Sequence, residues 1–182
     1  MRRKAAIPSK NVLRLLNTGA TVLVSSGQGR KRSVLAVAWQ MPASIDPPLV
    51  VVSIGRQRYS HVVMKRARAF VINIPTESEL PLVRTSGTVS GWETDKFEGH
   101  GITPEPAATL AVPRVAECPA HVECRLVRTH RCGDHTLFVG EVTGAFAISG
   151  FMGTRLRIGG RAKMLHHMGG EVFHLPGPRV RM

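Results

Sequence analysis

Residues 54–61 read IGRQRYSH. The apolar run LVVVSI (49–54) ends at Gly55, and Arg56, Arg58, Tyr59, Ser60 and His61 follow at once. Ser60 is placed to cap a helix over residues 61–68, with Val63 and Ala67 on its apolar side. Free backbone N–H groups and the positive end of a helix dipole then meet at this point. Arginine adds a two-pronged donor and serine a hydroxyl. Such a set suits one small anion, a phosphate monoester above all. A solvated basic loop would use the same residue types, so local chemistry alone leaves both readings open.

A second cluster, SGTVSGWETDKF, spans residues 86–97. Ser86 and Ser90 alternate with Gly87 and Gly91, which let a backbone approach a ligand closely, and Lys96 supplies another cation. A third group, His130, Cys132 and His135, surrounds the turn CGDH. Nothing fixes a fourth ligand, so no metal site is expected. Asp134 and His135 are neighbours on a turn and are expected to point apart. The sequence contains no G-x-G-x-x-G, no G-x-x-x-x-G-K-[ST] and no G-x-S-x-G. With only 12 acidic residues, paired-carboxylate catalysis is poorly supported. No catalytic side chain is assigned. A chain with so little reactive chemistry of its own, if an enzyme, fits one that borrows a cofactor.

The elements that must position these groups are mostly strands. Strands are predicted over residues 20–26, 33–39, 49–54, 69–75, 120–131 and 136–148. The turn GQGRKR joins the first two into a hairpin, and CGDH joins the last two. ASIDPP is a break, since its prolines cannot continue a ladder. LVVVSI, wholly apolar but for Ser53, is expected to be buried on both faces. In AHVECRLVRTHR the alternation puts Val122, Cys124 and Leu126 inward, and His121, Glu123, Arg125 and Arg128 outward. Ser78 is expected to cap a short helix with Pro81 in its first turn. Residues 86–102 read as a loop, and 104–113 as a Pro/Ala-rich connector. Helices are short, and no strand–long helix–strand alternation occurs. The fold class is therefore mainly β, a closed antiparallel barrel with short helical insertions.

The 182 residues suit one domain, 1–182, with a basic N-terminal arm over residues 1–10. A net charge of +13 invites nucleic acid as a partner. The cations are scattered, however, and 5% aromatic content is thin for base stacking, so nucleic acid is not the expected partner. Three cysteines without a CxxC pair argue against a disulfide framework and point to a reducing cytoplasm. No apolar stretch reaches the ~18 residues of a membrane span, so no membrane partner is expected.

Four fragments in order carry a resemblance. DPPLV…SI…RYSH, F.IN.P, SG…DKF and GDH.LFVGEV together resemble the flavin reductase-like family of FMN-binding split barrels, its flavoredoxin-type branch in particular. The likeness runs from about residue 8 to about residue 176. It implies an antiparallel Greek-key split β-barrel that forms a homodimer with FMN near the subunit interface. Carried over residue by residue, Ala36, Val37, Ala38 and Trp39 would lie along the isoalloxazine through backbone groups. Ser53, Ile54 and Gly55 would line the ribityl and ring side. Arg58, Tyr59 and Ser60 would hold the phosphate. Ser86, Gly87 and Ser90 would complete the pocket, Lys96 would add a phosphate or ribityl contact, and His135 would approach the flavin. The implied activity is hydride transfer from NADH or NADPH to FMN, with electrons passed on to free flavin, a partner protein or a small acceptor. The alternatives are an FMN-binding electron carrier without nicotinamide chemistry and a basic nucleic-acid-binding barrel. Relatives often carry Asn and Thr where this chain has Ser33 and Ala36, so a hydrogen bond to the ring is expected to be missing.

Overall fold

The computed structural model describes residues 5–8, 12–13, 15–16, 19–153 and 163–178. Most of the basic arm over residues 1–10 lies outside the described residues. Strands β1 (Val22–Gln28) and β2 (Lys31–Val37) form the expected hairpin, with Val22 opposite Val37 and Gln28 opposite Lys31. β3 (Gln40–Ser44) turns back through Ile45–Pro48 into β4 (Leu49–Gly55). Helix α1 (Tyr59–Ala67) leads to β5 (Ala69–Ile74), and a single 3-10 turn, Glu77–Glu79, leads to α2 (Leu80–Thr88). Two short strands, β6 (Pro104–Pro106) and β7 (Pro113–Val115), pair with each other. The long hairpin β8 (Ala120–Cys132) and β9 (His135–Ala147) follows, and β10 (His166–Gly169) with β11 (Val172–His174) forms a last small hairpin.

The main sheet has the order β2-β1-β5-β8-β9-β4-β3, antiparallel throughout. It curls round one core of Val22, Val24, Val37, Val52, Ile54, Phe70, Ile72 and Phe138, with Met64 of α1 among them. β2 and β3 are left as the two open edges, which is the split of the barrel, and β2 approaches β4 across it. A second core lies outside β1 and β2, where Leu23 and Val34 meet Val83 of α2, Phe97, Ile102 and Leu165. Each face of the first hairpin is therefore buried, one by the barrel and one by the segments wrapped round it. At Gly140 the partner side chains come so close that an added Cβ would sit 2.5 Å from Phe70, so only glycine fits there.

Several expectations change. Ser60 does not cap α1: the helix starts at Tyr59, and the extended backbone of Arg58 is its N-cap. The Ser60 hydroxyl is instead buried against that of Ser33, at 2.7 Å. Ser78 does not cap α2 either. Thr76 and Glu79 form a capping box on the 3-10 turn, and Pro81 does lie in the first turn of α2. Residues 104–113 are the β6–β7 hairpin rather than a plain connector. β4 is fully buried only on its Val52 and Ile54 face, with Val51 and Ser53 half-buried. On β8, His121 and Glu123 are buried, at 7% and 0% exposure. The Ala108–Thr109 backbone covers Glu123, and Asn73 meets the His121 ring, while Val122, Cys124 and Leu126 face the barrel core as expected. No helix among the described residues is long and apolar enough to cross a membrane. Cys118 and Cys124 are buried free thiols and Cys132 an exposed one.

Candidate functional site

The apolar strand β4 ends at Gly55, whose carbonyl accepts the Arg58 N–H at 3.0 Å, so the chain turns directly into α1. No side chain caps the helix, and its first turn holds no acidic residue. The positive end of its dipole is open to an anion. A cavity of about 230 Å³ sits there. Arg58, Tyr59, Ser60, Ser90 and Lys96 line it, which brings together residues nearly forty apart in sequence. Leu35, Gln57, Val89, Gly91 and Trp92 complete the walls.

Each cation is placed for a reason. Lys96 is 4% exposed, and its ammonium donates to the carbonyls of Val34, at 3.0 Å, and Ser86, at 2.7 Å. A lysine ammonium carries three donors, so one is left for the cavity. Burial, with the charge of Arg58 adding to it, pulls its pKa from 10.5 down to about 8. The loop that presents Lys96 is tied down on both sides. Asp95 receives Arg32 at 2.7 Å and the Phe97 N–H at 3.0 Å, and Arg32 lies over the Phe97 ring. Arg58 is exposed and makes no ion pair among the described residues. Tyr59 packs edge-on against Trp92, whose indole N–H donates to the Gln57 carbonyl at 3.0 Å. A Cβ at Gly91 would come within 2.8 Å of the Tyr59 ring, so the backbone there must pass close to it.

A second cavity, of about 400 Å³, lies on the other face of β2. Ala36, Ala38 and Gly87 line it, with Thr21, Val83 and Phe173. The two cavities share no lining residue. Ser86 lies at the end of α2 between them in sequence terms, fully buried, with its hydroxyl unpartnered.

Other expected residues fall outside both cavities. Val37 and Ile54 belong to the barrel core. The Ser53 N–H donates to the Trp39 carbonyl at 2.9 Å, which holds β4 to the start of β3. Trp39, 39% exposed, packs against His135 with ring centroids 4.9 Å apart. His135 and Asp134 do not point apart: Nδ1 and the carboxylate are 2.8 Å apart, and the imidazole holds the Asp134 carboxyl below its usual range. Beside α1, the His61 ring sits 2.9 Å from the Thr136 hydroxyl, and burial, then Lys65 and Arg56, lower its pKa. Sequence reasoning missed Gln57, Val89 and Trp92 at the first cavity and Thr21, Arg84 and the β10–β11 residues at the second. Trp92 stood beside a noted glycine–serine pair and Gln57 lay within IGRQRYSH; the others carried no motif.

Residues 13–166 match the flavin reductase like domain. The chain is 32% identical over 191 residues to the uncharacterised protein YddH of Escherichia coli, covering 99% of this chain and 98% of that one. It is 30% identical over 142 residues to the reductase component of 4-nitrophenol 4-monooxygenase/4-nitrocatechol 2-monooxygenase from Rhodococcus opacus, covering 78% and 72%. An FMN-binding protein from Thermus thermophilus, solved with bound 1-cyclohex-2-enone, superposes with a TM-score of 0.87 at 26% identity, covering 100% of this chain and 99% of that one. The mainly β, antiparallel split-barrel architecture and a domain match over most of the length agree: this chain belongs to the flavin reductase-like family.

Proposed function

We propose that the chain is an FMN-dependent oxidoreductase that takes electrons from NADH or NADPH and passes them to free flavin, a partner protein or a small acceptor. The observation that carries the reading is the cationic cavity at the start of α1, beside a larger apolar one across β2. The donor set fits a flavin mononucleotide: Arg58, Lys96, Ser60 and Ser90 offer charge and hydroxyls for a phosphate, and Ala36, Ala38 and Gly87 offer apolar walls for a ring. The FMN-binding neighbour from Thermus and the reductase-component relative from Rhodococcus support the same choice.

Bound here, FMN would supply the hydride and electron chemistry that no side chain of the chain offers. The chain's own groups would bind, orient and exclude water. Arg58 would close on the phosphate from the solvent side, with Lys96 beneath it. Tyr59, wedged on Trp92, would keep the wall rigid, and the Gly55 carbonyl would fix the Arg58 backbone. Ser53, Ile54, Val37 and Trp39 would serve through backbone position, with His135 behind Trp39. The net charge of +13 would speed the encounter with anionic flavin and nicotinamide nucleotides at low salt. A homodimer belongs to the same proposal. Its support is the exposed apolar strip of Trp39, Met41 and Ile45, the last at 95% exposure, running along edge strand β3.

Lys96 makes the affinity depend on pH. The free protein's lysine loses its proton near pH 8, and a bound phosphate would hold that proton on. FMN affinity is therefore level between about pH 7 and pH 8 and falls above that, approaching tenfold per pH unit; below about pH 6 the phosphate's second proton weakens it as well. Riboflavin, which has no phosphate, should show no such slope. Titrations of both ligands across this range check the sign.

Anaerobic mixing of the flavin-loaded protein with NADH or NADPH tests the activity. The proposal expects loss of visible flavin absorption with one donor or both. A protein that holds FMN but is bleached by neither is an electron carrier instead.

A further inference from the structure

Tyr59, the first residue of α1, belongs to two cavities at once. It lines the cationic cavity at the start of the helix, and it also lines a groove of about 580 Å³ along the flank of the helix. That groove lies between α1, the end of the β1–β2 hairpin and the loop before β7. Val62, Val63, Ala67, Ala111 and Val112 give it apolar walls. Lys31 and Arg66 stand in it as cations. Both are exposed, and neither makes an ion pair among the described residues. No acidic residue occurs between Asp46 and Glu77, so α1 brings no carboxylate to neutralise them. The Gln28 side chain, also on the wall, donates an amide N–H to the Ala111 carbonyl. Its amide oxygen remains unspent among the described residues and can accept from an amino group.

These features narrow the occupant. An inorganic anion would use the two cations and leave the apolar walls wet. An apolar ligand would leave both cations idle. A flat ring joined to a phosphate uses both, and a ring that carries an amino group also meets Gln28. The volume falls in the range of roughly 300–1,000 Å³ typical of small-molecule sites. The shared wall at Tyr59 adds that a ligand continuing from the first cavity would enter this one next.

We propose that the groove is a subsite for an adenylate group, its purine against the valine and alanine walls and its phosphate between Lys31 and Arg66. FAD carries such a group on the phosphate it shares with FMN, and NADH and NADPH carry one as well. The placement of FAD rests on the FMN reading above, whereas binding of an adenylate by itself does not.

The test is titration of wild type, Lys31→Ala, Arg66→Ala and Arg66→Lys with AMP, inorganic phosphate, FMN, FAD and NADH at one ionic strength. Wild type should bind AMP about tenfold more tightly than inorganic phosphate, or better, because only AMP buries a ring on the apolar walls. Lys31→Ala and Arg66→Ala should each weaken AMP by about 3- to 10-fold, a charge-assisted bond discounted for solvent exposure. Arg66→Lys should restore most of that loss. FMN should be unmoved in all three variants, since neither residue lines its phosphate cavity. Both side chains are exposed, so melting temperatures should stay at the wild-type value. FAD that binds more tightly than FMN, and loses the margin in Arg66→Ala, assigns the adenylate to the flavin; the same loss for NADH alone assigns it to the nicotinamide nucleotide. AMP bound no better than inorganic phosphate overturns the subsite and leaves the FMN reading standing. So does an equal loss of AMP and FMN in Arg66→Ala, or an AMP effect that neither FAD nor NADH shares. A protein that binds AMP as expected but takes up no FMN overturns the FMN reading and leaves the subsite in place.

Discussion

Arg58→Ala should weaken FMN by roughly 10- to 150-fold and leave riboflavin almost unchanged, an effect of about 1.5–3 kcal/mol for a charge-assisted bond to phosphate. The size follows from the site. Arg58 is exposed and carries no ion pair among the described residues, so no internal carboxylate competes with the ligand. Lys96 is spent in part on two carbonyls and cannot replace it. Because Arg58 supplies only its backbone to the helix start, alanine keeps the N-cap and the fold. Fluorescence titration of both flavins reads the split directly. Equal losses would mean that Arg58 supports the shape of the pocket and does not touch the phosphate.

The second large effect lies in the support of the barrel. Glu123→Ala should lower the stability by about 3–5 kcal/mol, read as a shift in the denaturant midpoint. The carboxylate is fully buried. It accepts the N–H groups of Ala108 at 2.8 Å and Thr109 at 2.7 Å, and the Thr109 hydroxyl at 2.6 Å, with Arg114 at 3.7 Å. Alanine would leave those donors without an acceptor, while the half-enclosed guanidinium keeps only Glu105, at 3.0 Å. Burial alone would raise the Glu123 pKa, but the Thr109 hydroxyl, the two backbone donors and Arg114 outweigh it and hold the value below 4.5. The stability from a depressed carboxylate is fully present above the unfolded value and is lost as pH falls through the folded one. An acid limb below pH about 4.5 is expected, and Glu123→Gln should flatten it. FMN affinity should be untouched, since no residue of this network lines either cavity.

Glu123 also shows where a sequence stops being informative. The alternation in AHVECRLVRTHR is real, and Val122, Cys124 and Leu126 do face the barrel core, but the loop before β7 covers the supposed solvent face at Glu123. His121 is hidden the same way, with its ring nitrogen 3.0 Å from Asn73. Strand positions, by contrast, needed only β-branched runs and turn residues: the six expected strands lie within a few residues of their places, and of the seven in the main sheet only β3, which contains Pro42, was not foreseen. Helix caps were misread because a serine hydroxyl chooses among partners. Ser60 takes Ser33, 27 residues earlier on β2, a partner that local spacing does not report. That Arg58, Tyr59, Ser60, Ser90 and Lys96 meet at one cavity was legible through short ordered fragments; the walls added by Val89 and Leu35 were not, because packing has no spacing of its own.

Ser33 gains a role from the same bond. Its hydroxyl supports Ser60 at the wall of the cavity proposed for the phosphate, whereas the Ala36 side chain contributes no polar atom to the other cavity.

One flavin mononucleotide is proposed to occupy this pair of cavities, phosphate at the start of α1 and ring across β2. The most direct measurement is titration of the purified protein with FMN and, separately, riboflavin, following quenching of flavin fluorescence. The account predicts saturable, stoichiometric uptake of FMN, with riboflavin bound at least tenfold more weakly for want of the phosphate contacts. Absence of uptake, or equal affinity for the two flavins, would contradict it.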